Sequence, residues 1–200
     1  EEFAVRLYKE IETFRDKKAK EDFVAAIRLN VTSDLNPDTF ESIIKAFPDV
    51  QFYDYTKLAT RSIAENHHLT YSSTGASQVV RGKTILNPWS NWDRMTQRLN
   101  RGQNVAMAFT SKTAMPKEIL DEKTGQRFEV WNGDNYDARF LDPKRPDGMG
   151  MVIGLTNKDR TTKPEDAAEK HNGFFMDYDP QRDGDTLVIK DQEKPYFCKV

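Results

Sequence analysis

The chain has 200 residues, 37% of them hydrophobic and 31% charged, with a formal net charge of −2. Its apolar residues sit in blocks rather than being evenly diluted, as in a folded chain, and so small a net charge gives no global attraction to nucleic acid or anionic lipid. Cys198 is the single cysteine, so neither an internal disulfide nor a thiolate metal cluster can form within the chain; with no apolar run near the roughly 20 residues that span a bilayer, this fits a reducing cytoplasm and no membrane partner.

In chain order, Phe3, Leu7, Ile11 and Phe14 recur at helical spacing between charged residues and predict an amphipathic helix over 2–19. Residues 24–31 predict a strand entering Thr32-Ser33-Asp34. Asn36 then caps a helix with Pro37 in its first position and Phe40, Ile43, Ile44 and Phe47 on one face, and Pro48 stops it. A strand at 50–55 completes a strand, helix, strand unit of the length of a parallel crossover. Residues 67–73 predict another strand, and Gly75 to Pro88 a loop. Ser90 or Asn91 caps a helix carrying Trp92, Met95 and Leu99, Gly102 ends it, and a strand at 104–110 makes a second unit.

Beyond Pro116 the pattern predicts a short helix at 116–122, a turn at Lys123-Thr124-Gly125 and a strand at 127–132. A hairpin partner at 137–141 follows across Gly133-Asp134-Asn135. A strand at 150–155, a polar stretch with at most a short helix at 164–170, and a last pair at 173–178 and 186–190 complete the chain. The fold class is therefore α/β: one domain over 1–200 with a mainly parallel, incomplete or elaborated TIM-barrel-like sheet, flanking helices and an antiparallel C-terminal extension. Residues 1–115 carry the parallel units and 116–200 the mixed part.

Six strand-like segments run directly into polar clusters, at 28–34, 52–57, 69–73, 105–112, 130–134 and 152–158. In a parallel sheet these clusters gather at one edge, where sites of open sheets and barrels are built. Asp34, Asp54 and Lys57 are candidate acid and base groups, with Ser33 beside them. Lys112 and Lys158 would neutralise an anion, and Asn30, Ser72 and Arg139 would orient it. Asp134 and Asp137, after a strand, form a carboxylate pair able to hold Mg²⁺. Helix capping, turn chemistry and solvated charge are the structural readings of the same residues. Alternation puts Asp54 and Thr56 on one face, where a buried Asp54 requires a partner, and Arg28 is the candidate.

His67 and His68 face opposite ways, which disfavours a shared metal and makes them ordinary surface or core histidines. The aromatic and basic set Trp89, Trp92, Arg94, Arg98 and Arg101 reads chiefly as a helix with a core-facing aromatic and a basic outer face. No Walker loop, Gly-x-Gly-x-x-Gly, Gly-x-Ser-x-Gly or His-Glu-x-x-His occurs.

Through Arg28-Leu29-Asn30, Thr32-Ser33-Asp34, Phe47 to Lys57 with its Phe-Tyr-Asp-Tyr-Thr-Lys core, and His68-Leu69-Thr70-Tyr71-Ser72, the chain resembles the bacteriophage proteins labelled gene product 88-like. The likeness continues through Gly102 to Ala106, Asn132-Gly133-Asp134, Asp137 to Pro143 and Ile153-Gly154-Leu155. It implies a phage origin and thus a host-cytoplasmic location, and brings no established activity. Longer relatives carry a cysteine-rich segment and look similar to radical S-adenosylmethionine enzymes. This chain lacks those cysteines, so an iron–sulfur cluster is not expected in it. Glu1 in place of an initiating Met implies a preceding segment, which would have to supply them.

The leading functional expectation is a polar pocket at the strand C-terminal ends that binds, or binds and acts on, a small anionic or phosphate-bearing ligand. The rival is a noncatalytic phage protein that binds a host or phage protein and redirects or inhibits it. A nucleic-acid-processing role ranks third because of the net charge.

Overall fold

A computed structural model describes residues 2–31, 40–58, 64–80, 83–87, 90–158 and 178–190, together with 163, 166, 170, 171 and 174–176. Its helices are α1 (Glu2–Lys20), α2 (Glu41–Ala46), α3 (Trp92–Leu99) and α4 (Pro180–Asp183). Its strands are β1 (Ala26–Ile27), β2 (Gln51–Thr56), β3 (His67–Ser72), β4 (Ala76–Val80), β5 (Lys83–Asn87), β6 (Val105–Phe109), β7 (Glu118–Asp121), β8 (Arg127–Asn132), β9 (Val152–Thr156) and β10 (Thr186–Ile189). Eight of them form one open sheet in the order β1-β2-β3-β6-β9-β8-β7-β10. It is mostly parallel, with β7 and β8 antiparallel toward its C-terminal side, as the sequence predicts.

The chain divides into two compact units. The first comprises Glu1–Thr70 with Ala138–Leu141, the second Tyr71–Asp137 with Asp142–Val200.

In the first unit, α1 places Ile11 in the core and half-buries Leu7 against it, while Phe3 and Phe14 at the ends of the same stripe stay exposed. Lys17, Lys18 and Lys20 lie in its last turn, where they complement the helix dipole. The core joins Ile11 to Ile43, Ile44, Phe47, Val50 and Phe52. Phe47 and Phe52 are fully buried, each contributing roughly 1.5–3 kcal/mol. The strand predicted at 24–31 is shorter, at Ala26–Ile27, and pairs in parallel with Gln51 and Phe52. The predicted Asn36 cap and Pro37 lie outside the described residues.

One side chain ties the turn between α2 and β2. The Asn66 amide donates to the carbonyls of Ile44, Phe47 and Val50 at 3.1, 2.8 and 3.0 Å. The backbone carbonyl of Asn66 accepts from Phe52 N–H at 2.7 Å, so this residue fixes where β2 begins.

In the second unit, the apolar run Val-Ala-Met-Ala-Phe makes β6 a strand buried along its whole length, the pattern of a parallel strand covered on both faces. Val105 aligns with Val152 on β9, and Val152 with Val130 on β8. Trp92, Met95 and Leu99 of α3 pack into the core with Tyr71, Val105, Met107 and Phe109. The direction of α3 is fixed at both ends. Its capping residue Asn91 bonds to Ser72 and Thr74 at the end of β3, whereas Leu99 O accepts from Gly150, two residues ahead of β9. The helix therefore runs antiparallel to the strands, with its N-terminus at their C-terminal edge.

Three sequence expectations are corrected here. Residues 118–121 are strand β7 rather than helix, since pairing on both sides, with β8 and β10, outweighs the local propensity of Glu and Leu. β8 takes β7 as its antiparallel neighbour, and the proposed partner at 137–141 contains a 3₁₀ turn at Arg139–Leu141 instead. The stretch from Gly75 to Pro88 contains the antiparallel pair β4 and β5 rather than being a loop throughout. Of the strand predicted at 173–178, Met176 forms a single parallel bridge to Phe109. The short helix predicted at 164–170 falls mostly outside the described residues.

Asn66→Ala strips donors from three carbonyls, so the variant is expected to lose about 1–3 kcal/mol of stability in urea denaturation. A loss within about 0.5 kcal/mol, the range of an ordinary surface change, contradicts the clamp.

Candidate functional site

The predicted site residues fall into two groups, one in each unit. In the first unit, Asp54 points into the interior with Phe52 and Thr56, giving β2 its strict alternation of buried and half-buried residues. One carboxylate oxygen accepts the Asn30 backbone N–H at 2.7 Å, and the other lies 3.1 Å from His67 Nε2. Asp54, Asn30 and His67 are 1%, 2% and 4% exposed. A carboxylate removed from water needs such donors, and here they come from the segment after β1 and from the start of β3. The partner of Asp54 is thus His67 rather than Arg28, whose guanidinium stacks over Tyr55 on the other face of β2, 4.6 Å from the ring centroid. Phe140 meets Tyr53 edge-on with centroids 5.6 Å apart, and the neighbouring Arg139 is buried. Lys57 is exposed just past β2. Ser33 and Asp34 lie outside the described residues.

In the second unit, the parallel neighbours β3, β6, β9 and β8 bring four polar clusters to one edge. Asp134, in the 3₁₀ turn Gly133–Asn135 after β8, is the hub. Its N–H donates to Asn132 Oδ1 at 3.0 Å, which fixes the turn. Its carboxylate accepts from Thr156 Oγ1 at 2.5 Å and Thr156 N–H at 3.3 Å, and pairs with Lys158 Nζ at 2.7 Å. Burial alone would raise the Asp134 pKa; the hydrogen bonds from Lys158 and Thr156 and the lysine's charge outweigh it, and the net shift is downward.

Lys158 remains 71% exposed at the side chain, so its ammonium is positioned by Asp134 while still facing water. Asn157 N–H donates to Phe109 O at 3.0 Å, which sets the Lys158 segment beside the end of β6. There Thr110 is buried, Ser111 Oγ accepts from Ala114 N–H, and Lys112 is exposed. Ser72, at the end of β3, is buried and donates to Ser73 O.

The edge thus presents two cations on adjacent strand ends, one of them braced. Asp134 has both oxygens engaged, and Asp137 is exposed. Among the described residues, no group of three or more His, Cys, Asp and Glu is placed to hold a metal ion, and no helix is long and apolar enough to cross a membrane.

Sequence reasoning missed the role of His67 because alternation says which face a residue takes, not which neighbour it meets. The bracing of Lys158 was half visible: Asn132-Gly133-Asp134 and Thr156-Asn157-Lys158 each followed a strand, but only the parallel pairing of β8 with β9 makes them neighbours.

A family model described as gene product 88 matches residues 1–175. No match was found among curated proteins, nor among solved structures.

Two measurements check these geometries. Asp54→Asn and His67→Ala are each expected to destabilise by about 1.5–3 kcal/mol, the scale of a buried hydrogen bond to a charged group, and to be non-additive in a double-mutant cycle; additive losses would deny the contact. For Asp134, a folded pKa below the unfolded value means the stabilisation is complete above the unfolded value, about 3.9, and is lost as pH falls through the folded one. The stability gap between wild type and Asp134→Asn should therefore be widest near neutral pH and shrink in acid. Urea titrations at pH 7 and pH 3 read it, and a gap that widened in acid would reverse the assignment.

Proposed function

This chain belongs to the gene product 88 family of bacteriophage proteins, and on that premise we propose that it binds a small anionic, phosphate-bearing ligand at the C-terminal edge of the second unit's parallel strands. The observation that carries the reading is Lys158. Its charge is held at a strand end by a carboxylate 2.7 Å away, yet the side chain is mostly in water, an arrangement that orients a cation without hiding it. Lys112 follows the adjacent strand β6 and supplies a second positive charge to the same edge.

The two lysines differ in kind. Lys158 uses hydrogen-bonding capacity on Asp134 and Thr156 and offers the rest outward, so it acts as a fixed point charge. Lys112 approaches a ligand as a free-swinging cation and contributes mainly through Coulomb attraction. Asp134 is a positioning residue that tethers Lys158. It also partly neutralises the lysine's charge, so its own removal has two opposed effects on an anion.

Isothermal titration with ATP and with inorganic phosphate tests the reading. Lys158→Ala and Lys112→Ala alter exposed side chains and should fold normally, and each is expected to weaken ATP binding about tenfold, equivalent to about 1.4 kcal/mol. Affinity should fall as salt is raised. Unchanged ATP affinity in both variants defeats the assignment.

A further inference from the structure

Charge is distributed unevenly along the chain. From Tyr71 to Pro116 a single acidic residue, Asp93, stands against Arg81, Lys83, Arg94, Arg98, Arg101 and Lys112, although the chain as a whole is weakly acidic. A sign asymmetry of this kind is the electrostatic footprint of a polyanion contact when its cations share one face.

Half of these cations belong to α3 and the turn that closes it. Trp92, Met95 and Leu99 are buried against the sheet, which leaves Arg94, Gln97 and Arg101 exposed at i, i+3 and i+7 on the opposite side. Arg98 flanks this stripe. Its guanidinium lies over the buried Tyr71 ring, 4.4 Å from the centroid, and donates to Gln103 Oε1 at 3.3 Å. Burial holds its pKa below the ordinary arginine value and the nearby charge of Arg101 pushes the same way, so two guanidinium groups repel each other on this face. Neither Arg94 nor Arg101 has a carboxylate partner among the described residues, in contrast to Arg6, Arg127 and Arg145 elsewhere. Asp93 sits in the first turn, about 100° around the helix from Arg94, where it complements the dipole.

The face distinguishes among polyanions. No large apolar side chain of α3 is exposed for insertion into lipid, and no aromatic ring of α3 is exposed for stacking unpaired bases. Arg94 and Arg101 stand about 10 Å apart along the helix axis, and the major groove of B-DNA is about 12 Å wide, so a helix laid across it brings one arginine to each bordering phosphate strand. Gln97 then lies between them, on the side of the base edges. From this we infer that the outer face of α3 is a docking surface for duplex DNA, with Arg94, Arg98 and Arg101 as its phosphate contacts. The surface uses neither lysine of the strand edge and does not depend on the ligand reading above.

The test is fluorescence anisotropy of a labelled DNA duplex of arbitrary sequence, titrated with the full chain at several salt concentrations, with ATP affinity measured in parallel. Wild type is expected to bind at low salt, with log affinity falling linearly against log salt. Arg94→Ala and Arg101→Ala alter exposed side chains; each is expected to weaken duplex binding about tenfold at low salt and to reduce the salt slope by about 1, leaving ATP affinity unchanged. Lys112→Ala and Lys158→Ala should leave the duplex slope at its wild-type value. No duplex binding by wild type, an unchanged slope in both arginine variants, or tighter binding to the single strand than to the duplex overturns the surface. Loss of duplex binding in the lysine variants alone overturns it too, by moving the contact to the strand edge. Duplex binding that depends on the arginines while ATP fails to bind sustains the surface and defeats only the ligand reading.

Discussion

The second unit depends on burying β6 along its whole length between β3 and β9. A strand with no face in water can satisfy its backbone only through neighbours on both sides, and β9 does so in register over five residues, from Val105↔Val152 to Phe109↔Thr156. Both neighbours run parallel to it. That shared direction, set by an apolar core, is what turns scattered polar residues into one edge. Where β3 ends, Met176 takes up pairing with the last part of β6, so the backbone of this strand stays satisfied to its end.

The first unit meets a different constraint. It places a carboxylate, Asp54, on the same face of β2 as Phe52, and so must supply donors in the interior. The Asn30 N–H and His67 do so from sequence-distant segments. Such a carboxylate is best understood as a fastening between strands: both oxygens are engaged, which leaves little capacity for a substrate. Its counterpart Asp134 is also engaged, but with a lysine that faces water, so there the same chemistry produces a presented charge. An aspartate within β2 and one just past β8 thus sit in different surroundings, according to which face they take and what lies beyond their partner.

Much of this architecture was legible in the chain. Phe47-Pro48 ends a helix and Gln51 to Thr56 alternates cleanly, because capping, proline and period-two patterning are local physics. The α3 helix is equally plain from Trp92, Met95 and Leu99. What could not be read were outcomes of long-range pairing. Glu118 to Asp121 is too short and too rich in helix formers to declare itself a strand until β8 and β10 lie on either side. The candidate site followed the same division. That polar clusters gather at strand ends was visible, whereas His67 as the partner of Asp54, and Asp134 as the brace of Lys158, required knowing which strands are neighbours.

A chain with net charge −2 can still present a cationic edge, because what a small ligand meets is local potential rather than the total. Several basic side chains among the described residues are matched close by: Arg6 by Glu10, Lys45 by Glu41, Lys117 by Asp185, Arg127 by Glu118 and Arg145 by Asp147. Lys158 is matched too, yet its partner is itself held by Thr156 through two hydrogen bonds. A surface pair between two mobile side chains presents no fixed field. A pair anchored on one side to a strand end does, since the lysine can swing only about a fixed carboxylate. Positional order rather than excess charge is therefore what sets Lys158 apart from the other paired surface cations among the described residues.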